Sequence, residues 1–151
     1  MVFFEGLDKT GKTTLYRALA TWRRDQFSYF DRGPWSRCAL GGYYGLQPGI
    51  AAAAGLAARA APWAIVVYVH RDFETLVALQ RHEERFSRAQ LEEQERLFED
   101  AFLRLPPAHL VHVHNGPDTS LASLIQDVRG RLDEIASRSA LDRAESADRP
   151  G

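Results

Sequence analysis

The chain has 151 residues, 45% of them hydrophobic and 26% charged, which is material for one domain with a core of its own and excludes a fibrous or wholly disordered polymer. Nineteen basic residues against twenty acidic ones leave a formal charge of -1. No global positive field therefore draws nucleic acid or an anionic membrane, and any contact with DNA has to be local. The single cysteine, Cys38, cannot close an internal disulfide and no Cys/His spacing suits structural zinc, which together point to a reducing, cytoplasmic setting.

Taken in chain order, the first residues carry no basic leader and no apolar run anywhere is long enough to span a bilayer, so no membrane segment is expected. Short aromatic or β-branched runs at 2–5, 27–30, 64–69 and 110–114 predict four strands, each followed by a turn or a helix start. Between them, apolar spacing predicts helices over 12–24, 51–61, 73–85, 88–103 and 120–137. This alternation predicts an α/β domain of three layers over residues 1–137, with a short, mainly parallel sheet ordered 27–30, 2–5, 64–69, 110–114. From Ser137 onward the sequence alternates Asp, Glu, Arg, Ser and Ala, and residues 138–151 are expected to form a flexible tail.

The residues that carry chemistry come first. Gly6-Leu7-Asp8-Lys9-Thr10-Gly11-Lys12-Thr13 has the spacing Gly, four residues, Gly-Lys-Thr, and stands between a predicted strand and a predicted helix. That is the P-loop (Walker A) pattern of nucleotide-binding chains. Glycines there let backbone N–H groups approach phosphate oxygens, the helix start adds a positive dipole end, Lys12 neutralises the transferring phosphate, and the Thr13 hydroxyl suits Mg²⁺. The expected cofactors are ATP and Mg²⁺, held by Gly6, Asp8, Lys9, Thr10, Gly11, Lys12, Thr13 and Thr14. The chain's only two lysines, Lys9 and Lys12, both lie in this stretch, while the other seventeen basic residues are arginines.

Asp31 closes the second predicted strand beside this loop, where an open parallel sheet gathers its ligands. Its carboxylate suits the Mg²⁺ shell, the acceptance of a proton from an attacking hydroxyl, or the capping of the next turn. Arg32 is either a bidentate clamp for an acceptor phosphate or a member of an ordinary ion pair. Trp35, Tyr43 and Tyr44 offer stacking faces for a base or rings for the core. Arg81, Arg85 and Arg88 share one helical face, which fits either a lid that stabilises transferring charge or a solvated network with the neighbouring glutamates. His112 and His114 alternate on one strand face without a third ligand at metal spacing, and the turn from Asn115 falls where a donor base would lie.

Residues Phe4 to Thr14 resemble the phosphate loop of thymidylate kinases almost position for position. Phe30-Asp31-Arg32-Gly33 resembles the Asp-Arg motif of the thymidylate and deoxynucleoside kinase superfamily, Tyr43-Tyr44-Gly45 resembles the aromatic segment often found C-terminal to that motif, and Glu84-Arg85-Phe86 is similar to the family's arginine-bearing lid. The resemblance implies a P-loop NTPase fold and MgATP-dependent phosphoryl transfer to a nucleotide-type acceptor, first of all a deoxynucleoside monophosphate. By the same resemblance Lys12, Asp31, Arg81 and Arg85 are catalytic, and Thr13 and Asp31 serve the metal. Arg32, Trp35, Tyr43 and Asp8 hold the acceptor, with Asp8 on a sugar hydroxyl, and the chain forms a homodimer. Only sixteen residues, 15–30, separate Thr14 from Asp31, whereas the family places another strand and further helices there. The pared-down acceptor side keeps a second reading open, in which the acceptor is a nucleoside or a modified base within DNA. A non-kinase nucleotide switch is disfavoured, since no Asn-Lys-x-Asp guanine signature occurs.

Overall fold

A computed structural model describes residues 1–80 and 86–147. Its centre is a four-stranded, all-parallel sheet of β1 (Val2–Glu5), β2 (Tyr29–Asp31), β3 (Ile65–His70) and β4 (His109–His114), in the order β2-β1-β3-β4. That is the order the sequence predicts. β1 and β3 are central and buried on both faces, which is why they read as apolar runs until their last residues, Glu5 and His70. β4 lies at an edge and alternates, with Val111 and Val113 buried and His112 and His114 exposed.

Strand periodicity sorts the core into two faces. Val2, Phe4, Val67, Val69, Val111 and Val113 point to one side, where α1 (Lys12–Leu19) and α6 (Leu121–Ala147) contribute Leu15, Leu19, Leu124, Val128 and Leu132. Phe3, Val66 and Tyr68 point to the other. There they meet Trp35 and Ala39 of α2 (Pro34–Leu40), Ala57 of α3 (Ile50–Ala60), Leu76 of α4 (Phe73–Leu79) and Phe98 and Phe102 of α5 (Arg88–Arg104). Each fully buried Phe, Leu or Val side chain contributes about 1.5–3 kcal/mol, so both faces are needed to hold so small a sheet.

Several boundaries differ from expectation, each for a local reason. α1 ends at Leu19 because the chain turns back to enter β2, with Arg23 at φ 46 and Trp22 stacked on Phe27 at 6.2 Å. α4 stops at Leu79, where the Gln80 side chain takes over the backbone of Phe86, donating to its carbonyl at 3.1 Å and accepting from its N–H at 2.5 Å. Arg81 and Arg85, expected catalytic residues, lie outside the described residues. α2 carries no local cap of its own and was not expected. α6 continues through Ala147, so residues 138–147, expected as tail, are helical. No helix among the described residues is long and apolar enough to cross a membrane.

Candidate functional site

The Gly6–Thr13 loop leaves β1 and enters α1, and its shape depends on two glycines. Gly6 has φ +141, and a Cβ there would lie 2.4 Å from the Val69 carbonyl oxygen of β3. Gly11 has φ +93, and a Cβ there would sit 2.7 Å from Asn115 Nδ2. Side chains cannot occupy either place, so the loop is pressed against the ends of two neighbouring strands. Lys9 also adopts a positive φ, 65.

The loop's carbonyls are engaged from outside it. Asn115 donates through Nδ2 to the Thr10 carbonyl at 2.8 Å, and Arg71 donates through Nη1 to the Lys9 carbonyl at 3.0 Å and through Nε to the Asn115 carbonyl at 3.3 Å. The Leu7 carbonyl accepts from Thr10 Oγ1 and Lys12 Nζ, both at 2.9 Å. With these acceptors taken, the first amides of α1, which have no partner inside the helix, remain as donors at the loop's end.

Lys12 is 4% exposed. Burial, with the positive charge of Arg32 second, pushes its ammonium pKa down, against the opposing pull of Asp8 at 3.5 Å. An anion arriving at this buried charge would meet little competing water.

The end of β2 faces the loop across two bonds. Thr13 Oγ1 donates to Asp31 Oδ1 at 3.2 Å, and Arg32 Nη2 donates to Asp8 Oδ1 at 2.8 Å. Asp8 thus sits between Lys12 and Arg32. Arg32 itself holds φ 72, a left-handed conformation that costs a side-chain-bearing residue about 1–3 kcal/mol and that concentrates at ligand sites.

Beneath this pair lies Glu5, 0% exposed, which the sequence reading did not single out. Its Oε1 accepts from the Gly33 N–H at 2.9 Å and the Ser36 N–H at 3.3 Å, and its Oε2 accepts from the Ser36 hydroxyl. Glu5 is the missing cap of α2. Burial raises its carboxyl pKa to about 7, against the opposing hydrogen bonds from Ser36 and Gly33.

A cavity of about 400 Å³ opens beside Arg32, lined by Asp8, Arg32, Ser36, Arg37, Leu40 and Tyr44 among others. Its volume is within the range of small-molecule sites. A second cleft of about 50 Å³ separates Asp8 and Lys9 from Leu91 and Gln94 of α5. Gln94 is 2% exposed and its amide nitrogen has no hydrogen-bond partner. Its signal in the sequence is a polar residue in the apolar register of Leu91, Gln94, Phe98 and Ala101.

The structure brings together Gly6, Asp8, Thr10, Gly11, Lys12, Thr13, Asp31 and Arg32, while Lys9 and Thr14 are exposed at the loop's tip and on α1. Two expected acceptor residues are placed elsewhere. Trp35 is 0% exposed, with its indole N–H on the Leu105 carbonyl at 2.8 Å, so it is a core residue and cannot stack on a base. Tyr43 packs edge-on against Tyr44 at 5.3 Å and both rings contact Phe86, but it is Tyr44, not Tyr43, that lines the cavity. Asn115, which opens the turn expected near a donor base, donates to the Thr10 carbonyl of the loop. Arg88 is bound by Glu74 and Glu92, as a solvated network requires. His112 Nδ1 lies 2.7 Å from His70 Nε2, and among the described residues no group of three His, Cys, Asp or Glu side chains is placed to hold a metal ion. No family model, curated protein or solved structure matches this chain.

Proposed function

We propose that this chain is a P-loop kinase that moves a phosphoryl group from MgATP to a nucleotide-type acceptor, most directly a deoxynucleoside monophosphate. The observation that carries the reading is the pair of cross-links between the loop and the end of β2, Thr13 to Asp31 at 3.2 Å and Asp8 to Arg32 at 2.8 Å. They hold the loop and the end of β2 together, as a phosphate cradle and an acceptor-binding arginine serving one transfer would require.

The residues fit the implied groups. Thr13 and Asp31 offer two hard oxygens side by side, which suits an Mg²⁺ ion that keeps several waters and takes only one or two protein ligands. When bound, the ion would neutralise charge on the two terminal phosphates. Lys12 would exchange the Leu7 carbonyl for phosphate oxygen, and its desolvated charge favours the anion over water. Arg32, freed from Asp8 by a competing phosphate, would hold the acceptor through its planar fork. Asp8 would then turn its carboxylate to a sugar hydroxyl, and Gln94, whose amide nitrogen has no hydrogen-bond partner, lines the same narrow cleft.

The open 400 Å³ cavity also favours a second reading, transfer to a nucleoside or to a modified base flipped out of DNA. A phosphoryl-transfer screen with ATP and Mg²⁺ against nucleosides, deoxynucleoside monophosphates and duplex DNA separates the two. The proposal expects label on a monophosphate. Label on DNA or nucleosides alone moves the chain to the second reading, and no transfer to any of them overturns the kinase assignment.

A further inference from the structure

Arg37 stands out among the cavity residues because nothing in the proposed reaction uses it. It lies on α2, exposed to solvent, and lines the same cavity as Arg32 and Asp8. The other arginine on this cavity wall, Arg32, is matched with a carboxylate, Asp8, at 2.8 Å. Arg37 makes no ion pair with any described carboxylate. Its guanidinium lies against Gly49, where a Cβ would stand 3.3 Å from Nε and 3.4 Å from Cζ.

The charge of the cavity wall depends on this. Asp8 is already shared between Arg32 and Lys12. Glu5 lies beneath the wall but is buried, and its pKa of about 7 leaves it partly protonated at neutral pH. With Lys12 turned to the donor phosphates and Arg32 to the acceptor phosphate, Arg37 remains as a second, unpaired fork on the same wall. A planar guanidinium exposed to water and free of carboxylates is suited to a phosphate oxygen pair.

We propose that Arg37 binds a second phosphate of the acceptor, so that the preferred acceptor is a nucleotide phosphorylated on both sides of its sugar. Two sources share that chemistry: a free nucleoside 3′,5′-bisphosphate, and the 5′-phosphorylated end of an oligonucleotide, whose first internucleotide phosphate takes the same place. The inference rests on the acceptor reading of the cavity.

The test is equilibrium binding of matched 5′-monophosphates and 3′,5′-bisphosphates of the four deoxynucleosides, together with 5′-phosphorylated dinucleotides, to the wild-type chain and to Arg37→Gln. For at least one base the bisphosphate is expected to bind about tenfold or more tighter than the monophosphate, the scale of one charge-assisted hydrogen-bonded pair. Arg37→Gln should erase that advantage while leaving the monophosphate's affinity unchanged, and Arg37→Lys should restore part of it. Added salt should shrink the advantage in the wild type. A dinucleotide that keeps the advantage identifies a polynucleotide end as the source, and one that loses it identifies the free bisphosphate. Monophosphates that bind as well as bisphosphates overturn this inference alone. So does an Arg37→Gln chain that loses monophosphate binding equally. Failure of every nucleotide to bind overturns the acceptor reading itself.

Discussion

The loop side and the α2 side of the site are built by opposite means. The Gly6–Thr13 loop is gripped by the ends of the two strands beyond β1, through Gly6 against Val69, Arg71 on Lys9, and Asn115 on Thr10. Those contacts are to backbone and do not depend on any group that titrates near neutrality. α2, which carries Ser36 and Arg37, is a seven-residue helix beside an edge strand, and its first turn hangs on one buried carboxyl, Glu5. The lesson is that the loop is fixed by shape, whereas the cavity wall on α2 is held by a group whose charge changes within the ordinary pH range.

Breaking the loop side should give the largest effect. Lys12→Ala removes a preorganised charge from the transition state, for which a loss of about 2.7–4 kcal/mol, or 10²–10³-fold in kcat, is expected. Circular dichroism should show the fold retained, since Lys12 makes its bonds within the loop. Full transfer by this variant would remove Lys12 from the reaction.

Titrating the α2 side comes next. Glu5 goes from an ordinary value of 4.5 to about 7 in the folded chain, so the folded state keeps a proton that the unfolded state has lost between those values. Stability therefore falls as pH rises through this window, by up to about 3 kcal/mol once pH exceeds the folded value. Glu5→Gln should flatten that slope in urea unfolding measured from pH 4 to pH 8. An unchanged slope would mean that Glu5 does not carry its proton as described.

Smaller effects sharpen the contrast between acceptor wall and core. Arg32→Ala should raise the KM for the acceptor by about 10–100-fold, the worth of a charged hydrogen-bonded pair, with kcat changed much less. An unchanged KM would show that Arg32 is only the ion-pair partner of Asp8. Trp35→Phe should cost about 1–2 kcal/mol of stability through the lost bond to Leu105, with the acceptor KM unaltered. A changed KM with unchanged stability would return Trp35 to the site.

The difference between the two sides also decides what the sequence reveals. The loop is contiguous, so its glycine and lysine spacing is visible in eight letters, and the strand order is legible in apolar runs alternating with helical ones. Asp31 and Arg32 are visible because they end a strand. The cavity wall is assembled across distance: Glu5 caps Ser36 from another element, and no local pattern marks a helix whose cap lies on β1. Trp35 and Tyr44 are both aromatic residues after the Asp-Arg pair, and only packing separates the one that enters the core from the one that meets the cavity. Arg71 and Asn115 act through the loop's carbonyls, whose direction no side-chain spacing records.

The central claim is that the Gly6–Thr13 loop is a shaped receptor for the phosphates of MgATP, and thermal unfolding with and without that ligand tests it most directly. At a free concentration one hundred times its Kd, MgATP should stabilise the wild-type chain by about 2.7 kcal/mol, and Lys12→Ala should lose most of that gain. An unfolding midpoint that does not move at millimolar MgATP, in a chain shown to be folded, would contradict the account.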